Sequence, residues 1–588
     1  MKSFVDIIRN EIEEKFVQNS YSKEYAKVEI SKRADICDYQ INSAFSIAKE
    51  LHKKPFDIAN DIVGLCEDIK IKFSNEDAKL IFVRAFDKVE ALEPGFVNLT
   101  ISEEFLQYYL YSLLKSNIYL GLENDKNKQK IIVDFGGANV AKPLHIGHLR
   151  SAVIGECIKR LLRRKGNEVI GDIHLGDYGL QMGLTICGLM ERGIENTFTI
   201  RELEEVYPAS SAKAKEKDEN GNLKYQDFYN RSHEVTKLLQ EEKEPYYSIW
   251  KRIVDISIKD LKKNYDSLNV YFELWNGEAS VSKYIPELIN DLCDRKIAYE
   301  SDGALVVDVK EESDKKEIPP CIIQKKDGAV LYATTDLATI IDREIKIKPN
   351  KYIYITDIRQ ALHFEQVFRV AKKASLIDSN QEMVHIGFGT MNGKDGTPFK
   401  TREGGILRLE ILLNEVKERV LEKMIEKDEQ IASQIALSAL KFGDLSNIIS
   451  KDYIFDIDKF ISFEGHTGPY ILYTIVRIKS ILKRLETNKL NNNYVYYETS
   501  DKVTKNLELQ LVRYIQEVDL AYNELAPHKL CNYIYDISNS FNSFYHEHNI
   551  LKEENIDKKS YYVSLIKLTL NILNDIIEIL GFSSPERM

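Results

Sequence analysis

Two short apolar runs separated by a glycine loop and one long amphipathic helix constrain this chain more than any other feature. Lys130-Ile131-Ile132-Val133-Asp134-Phe135 has the near-continuous apolar character of a strand buried on both faces. Leu149, Val153, Ile154, Ile158, Leu161 and Leu162 then recur at helical spacing as far as Lys165-Gly166. Glu168-Val169-Ile170-Gly171-Asp172-Ile173 reads as a second strand. Strands joined by a helical crossover lie parallel, so this unit opens a doubly wound α/β domain. Further strand patterns at 351–356 and 384–388 come only much later. The interval, with its charged helical run at 201–270, therefore reads as insertions into one sheet.

A chain of 588 residues exceeds one ordinary core, and three domains are expected. Residues 1–115 mix helical stretches with strand-like runs, an α+β pattern; 97–101 alternates like a strand. A polar breaker at 124–129 reads as a linker into the α/β domain of 116–405. From 406 to 588 helix follows helix with almost no strand signal. No 18 apolar residues run together, so no membrane span is expected, and the opening residues lack a signal-peptide core. Seven isolated cysteines without a Cys-x-x-Cys pair suit a reducing compartment and argue against a zinc ribbon. A cytoplasmic protein is expected. The net charge of −11 can still conceal a basic surface for nucleic acid. Lys159, Arg160, Arg163, Arg164 and Lys165 are a candidate, although the simpler reading of that run is a solvated helix face.

The loop between the first strand and the helix lies where such folds bind ligands, beyond a strand's carboxyl end. It reads Asp134-Phe135-Gly136-Gly137-Ala138-Asn139-Val140-Ala141-Lys142-Pro143-Leu144-His145-Ile146-Gly147-His148. His145 and His148, three apart, share a face of the first helical turn. Unpaired N–H groups and the helix dipole there favour an anion, and two imidazoles add donors. Gly147 removes a side chain, so a flat ring can lie against the backbone. Together these point to a triphosphate and an adenine. Zinc ligation by the His pair and a chance helix cap stay open on the residues alone. A phosphate-binding Walker loop is excluded: 389–394 is one residue short, and Asp395 follows Lys394.

The run 139–151, Asn-Val-Ala-Lys-Pro-Leu-His-Ile-Gly-His-Leu-Arg-Ser, resembles the histidine signature of class I aminoacyl-tRNA synthetases, and specifically that of arginyl-tRNA synthetases. Asp38-Tyr39-Gln40-Ile41-Asn42 is similar to that family's N-terminal tRNA-elbow domain. Phe463-Glu464-Gly465-His466-Thr467-Gly468-Pro469-Tyr470 resembles the entry to its helical anticodon-binding domain, and the ending Pro585-Glu586-Arg587-Met588 its usual terminus. The resemblance implies a Rossmann-type class I catalytic domain with insertions, an α+β N-terminal domain and an all-α C-terminal bundle. It implies ATP-dependent attachment of L-arginine to arginine tRNA through an arginyl-adenylate, with activation needing bound tRNA. Mg²⁺ is expected to accompany ATP, with no protein-bound zinc, and a monomer is the family's habit.

The same resemblance assigns residues. Lys142, His145 and His148 match catalytic positions, and Ala138, Asn139, Gly147, His148, Gly389 and Lys394 match ATP contacts. The second class I signature, Lys-Met-Ser-Lys-Ser, is degenerate here: Phe399-Lys400-Thr401-Arg402 stands at its core. Lys400 and Arg402 are the catalytic cations expected there, and Lys142 matches a lysine thought to compensate in members lacking the usual one. Asp134, Asn139, Glu278, Tyr332, Asp336 and Gln360 match arginine-binding positions. A guanidinium fork calls for such carboxylates, best in bidentate geometry. In the helical domain, Tyr533, Tyr535, Phe541, Phe544, Tyr545 and His546 offer aromatic faces for splayed bases, but a stripe at helical spacing is more often core. Two rivals remain at this point: a small nucleotidyltransferase of the same superfamily, and a silent tRNA-binding paralogue.

Overall fold

The computed structural model describes residues 1–33, 35–74, 80–116, 119–397, 407–485, 497–498 and 501–588. They form two compact units, one of 125–461 with 579–582, the other of 1–124, 462–578 and 583–588.

The first unit is built on a four-stranded, all-parallel sheet. Its spatial order is Glu382–Phe388, Lys351–Asp357, Lys130–Asp134, Glu168–Asp172. The chain thus runs outward from Lys130–Asp134 in one direction, then returns to lay Lys351–Asp357 on its other side. That reversal is a topological switch point, and the crevice lies beyond the carboxyl ends of those two strands. Ile131, Ile132 and Val133 are buried, as a strand covered on both faces requires. The helix Ile146–Arg164 supplies the crossover, and Tyr332–Lys346 and Ala361–Lys373 also belong to the sheet's helical layers. Between Asp172 and Lys351 lie the insertions: the helices Ile200–Lys215, Gln226–Gln240 and Tyr246–Ser267, then an antiparallel sheet of Ala298–Ser301, Ala304–Val307 and Cys321–Gln324. That small sheet carries no clear alternation and was not expected. The helices Leu409–Lys423 and Glu429–Leu445 group with this unit, although the sequence pattern joins them to the helical zone.

The basic run 159–165 is divided between the interior and the surface. Lys159 is fully buried, Lys165 nearly so, and Glu156 accepts from Lys159 at 2.9 Å and Arg160 at 2.7 Å. Arg163 pairs with Glu273 at 2.8 Å. Around Lys159 the run forms a buried ion-pair network, while Arg163 stays exposed; Glu156 lies one helical turn away, but Glu273 comes from far along the chain.

In the second unit, a four-stranded antiparallel sheet runs Val28–Ile30, Tyr39–Ile41, Phe96–Ile101, Phe86–Leu92. The helices Phe4–Gln18 and Glu103–Lys115 share its core, where the Phe4 and Phe105 rings stack 4.4 Å apart. Asp38 of the Asp-Tyr-Gln-Ile-Asn run is held by the Ile101 N–H at 2.8 Å and by Lys505 at 3.1 Å. Gln40 donates to Asn98 at 2.8 Å on a half-buried surface. The helices of this unit after 462 are Gly468–Leu485, Lys502–Leu511, Tyr514–Glu524, Pro527–Glu547 and Ile556–Leu580, the last of which ends in the other unit. Tyr533, Phe541 and Phe544 are core; Tyr535 and Tyr545 are half-buried and His546 is exposed. Among the described residues no helix is long and apolar enough to cross a membrane.

Candidate active site

The 134–148 loop is shaped from its glycines outward. Gly136 and Gly137 take positive φ, 95° and 57°. A Cβ on Gly136 would meet the Phe272 ring at 2.9 Å, whereas Gly137 opens onto free space. The Gly136 N–H donates to Ser151 Oγ at 2.8 Å, and Ser151 donates in turn to Ile355 O, which ties the loop to the strand Lys351–Asp357. Ala138 and Val140 are zipped to Gly176 by backbone bonds of 3.1 Å. At Gly176 a side chain would strike Asn139 Oδ1, 2.1 Å from the Cβ position, so that glycine makes room for the Asn139 carboxamide.

His145 caps the helix Ile146–Arg164. Its Nδ1 accepts the Gly147 N–H at 3.1 Å, while its own N–H donates to His148 Nδ1 at 3.1 Å. Each ring therefore uses Nδ1 as acceptor and carries its proton on Nε2. Burial, reinforced by His145, pushes His148 down to about 3, and burial with Lys142 lowers His145. Both imidazoles are neutral at pH 7, each with an Nε2–H donor left for a ligand at a helix N-terminus. Gly147 is exposed beside them, and a Cβ there would meet the His145 ring at 2.8 Å. Lys142 Nζ lies 4.7 Å from the centroid of Tyr207, a residue of the insertion helix Ile200–Lys215 that no motif singled out.

Residues just beyond the second signature pair with the first. Ile146 N–H donates to Leu407 O at 3.0 Å and Leu409 N–H to Leu144 O at 2.9 Å, so the chain leaving the second loop pairs with the histidine turn. Arg408 between them binds Glu204 at 2.7 Å. At the loop's entry, Arg150 of the histidine helix donates to Gly389 O at 2.7 Å and to Lys451 O at 3.1 Å, and pairs with Asp444 at 3.0 Å. Gly389 itself is buried; a Cβ would lie 2.5 Å from the Lys451 carbonyl carbon, which makes it a packing glycine. Lys394 is exposed and pairs with Asp456 at 3.1 Å. Lys400 and Arg402 lie outside the described residues.

The expected arginine group is brought together in part. Asp336 and Tyr332 share the first turns of the helix Tyr332–Lys346, with Tyr332 72% exposed. Glu278 opens a 3₁₀ turn in the insertion, where burial first, then the Asp336 and Asp177 carboxylates, push it up to about 8. Such a cluster of acids is stable only with a proton or an incoming cation. Asp177 is raised to about 6, chiefly by burial, while accepting the Ala279 N–H at 2.9 Å. Gln360 is exposed at the N-terminus of the helix Ala361–Lys373. Asp134 has a partner already: Arg343 binds it at 2.5 Å and Asp172 at 2.8 Å, with the Arg343 side chain only 2% exposed. Burial, with Asp172 beside it, raises Asp134, and the guanidinium between the two acids stays charged. Arg343 and His363, which binds Asp336 at 2.6 Å, were not evident from the sequence, since each stands far along the chain from its partner. Among the described residues no three His, Cys, Asp or Glu side chains are grouped for a metal.

A switch-point crevice with a neutral histidine pair at a helix N-terminus fits the class I synthetase fold, and the comparisons extend that class to the whole chain. A model described as tRNA synthetases class I (R), catalytic domain, matches 110–457. The arginyl tRNA synthetase N terminal domain matches 2–101 and the DALR anticodon binding domain 471–588. The arginine–tRNA ligase of Agathobacter rectalis is 46% identical with all of both chains covered, and that of Alkaliphilus oremlandii is 43% identical over 98% of each. Among solved structures, the arginyl-tRNA synthetase of Plasmodium falciparum superposes with a TM-score of 0.79 at 24% identity, covering 99% of this chain and 98% of that one. The Thermus thermophilus enzyme gives 0.79 at 20% identity over the full length of both, a likeness of fold. This chain belongs to the arginyl-tRNA synthetase family. It is a class I arginine–tRNA ligase that charges tRNA with arginine for translation, and the nucleotidyltransferase and silent-paralogue readings fall away.

Proposed function

We propose that the 138–148 loop binds ATP and that Glu278, Tyr332 and Asp336 bind the arginine side chain, with Asn139 and Gln360 orienting the amino acid. ATP enters as its Mg²⁺ complex, the metal carried by the triphosphate. The His145 and His148 Nε2–H donors face the phosphates, and Gly147 gives the adenine a flat floor. Lys142 swings from Tyr207 toward the charge that develops on pyrophosphate, helped by Lys394, Lys400 and Arg402 from the second loop. The arginine carboxylate attacks the α-phosphorus in line, the bond to the β-phosphate breaks, and pyrophosphate leaves. The terminal ribose hydroxyl of arginine tRNA then attacks the adenylate carbonyl and AMP departs. A carboxylate is already nucleophilic, so the first step needs position and charge stabilisation and no general base.

Asp134 joins Asn139 and Gln360 on the amino-acid side, one oxygen of its carboxylate held in place by Arg343. The division of labour we assign is tRNA elbow for 1–115, catalysis for 116–405 and anticodon for 406–588, in a cytoplasmic monomer whose activation step requires bound tRNA. What carries the arginine assignment is the acid cluster: Glu278 is held at about 8 by burial and by Asp336 and Asp177. Pyrophosphate exchange tests it. Glu278→Gln and Asp336→Asn are expected to raise the arginine KM by about 10- to 100-fold each, as loss of a charged hydrogen bond does. An unchanged arginine KM in both variants contradicts the assignment. A pocket that pairs the guanidinium donors should reject lysine by about 10⁴ and canavanine poorly.

A further inference from the structure

We propose that His363 is a positioning residue for arginine recognition, holding one oxygen of Asp336 so that the carboxylate stays oriented for the guanidinium. The inference rests on the assignment of Asp336 to the arginine side chain. His363 Nε2 lies 2.6 Å from Asp336 Oδ2, the distance of a charge-assisted bond. The two residues come from neighbouring helices, Ala361–Lys373 and Tyr332–Lys346, and stand 27 positions apart in the chain.

The imidazole is itself fixed. It meets the Phe364 ring edge-on, centroids 5.1 Å apart and planes at 85°. Phe364 is core and stacks against His385 with ring centroids 5.0 Å apart, and His385 is anchored by Thr356 at 2.9 Å. A carboxylate near a helix N-terminus has several staggered rotamers, and a fixed donor selects one of them. The bond fixes which way the Asp336 carboxylate faces, while both of its oxygens keep lone pairs with which to accept from a ligand. Glu278 is the acid close enough to Asp336 to be perturbed by it. A planar cation with donors on several edges suits two neighbouring acids better than an ammonium does.

The test measures pyrophosphate exchange by the full chain with arginine tRNA present, varying arginine and ATP separately, for His363→Ala, His363→Gln and Asp336→Asn. His363→Ala should raise the arginine KM about tenfold or more and leave the ATP KM and kcat within about twofold. His363→Gln, which keeps an N–H donor at similar reach, should restore most of the loss, a recovery that a purely structural role does not predict. Equal losses for arginine and ATP, an unchanged arginine KM in His363→Ala, or a glutamine variant no better than alanine would overturn the proposal. If Asp336→Asn raises the arginine KM and His363→Ala does not, this inference alone fails. If Asp336→Asn leaves arginine untouched, the arginine pocket has been misassigned and the inference falls with it.

Discussion

Arginine binding should expel a proton from Glu278. Burial and the neighbouring Asp336 and Asp177 carboxylates push its pKa up to about 8 in the empty pocket. At pH 7 about nine in ten of these carboxyls are therefore protonated. The guanidinium pairs with the ionised form, so it must draw the pKa down and release about 0.9 proton per arginine bound. Supplying the ionised form weakens the apparent affinity about tenfold at pH 7, about 1.4 kcal/mol. The sign follows from the raised pKa. Below 8 the affinity should rise with pH, by up to about tenfold per unit, and above 8 it should level off. The same raised pKa means that the arginine-free protein loses stability as pH climbs from 4.5 toward 8, and that arginine restores it. Calorimetry of arginine binding to the tRNA complex, in two buffers of different ionisation enthalpy at pH 7, counts the proton directly. Glu278→Gln should bind more weakly and release none. Buffer-independent heats with a pH-independent affinity between 6.5 and 8.5 would refute the reasoning.

Other consequences follow from the same geometry. Lys142→Ala should slow exchange by about 10²–10³, the usual loss for one preorganised donor; a wild-type rate would end the idea that it compensates for the degenerate second signature. Arg343→Met leaves Asp134 and Asp172 buried without their cation, and denaturant unfolding should report a loss of about 3–5 kcal/mol; a loss below about 1 kcal/mol would show the pair relaxes into solvent. Glu508, fully buried beside the Tyr561 hydroxyl, is pushed up to about 8 by burial. Its raised pKa removes stability as pH rises from 4.5 to 8, so Glu508→Gln should gain about 1 kcal/mol or more at pH 9 and little at pH 4. A variant less stable at pH 9 contradicts this.

What could be read from the sequence was local or periodic. The strand at 130–134, the glycine loop and the helix that follows were legible because burial imposes runs and repeats that need no knowledge of the rest of the chain. The histidine turn was legible for the same reason, since a cap and its partner lie within one turn. The Lys159 run resembles a solvated face because Glu273 becomes a partner only once Tyr271–Glu273 has folded back onto the helix, although Glu156, one helical turn away, is a partner that spacing alone reveals. Asp134 illustrates the limit from the other side. Its position at a strand end was visible, but Arg343, 209 positions away, decides what its carboxylate does. His363 stands three residues past Gln360, yet nothing at that spacing predicts Asp336 as its partner. Long-range pairing of charges is the part of the site that local pattern cannot supply.

The most direct test of the account is pyrophosphate exchange by the full chain with each amino acid in turn, with and without arginine tRNA. The account predicts exchange with arginine alone, and only when the tRNA is present. Exchange driven by another amino acid, or none with arginine and its tRNA together, would contradict it.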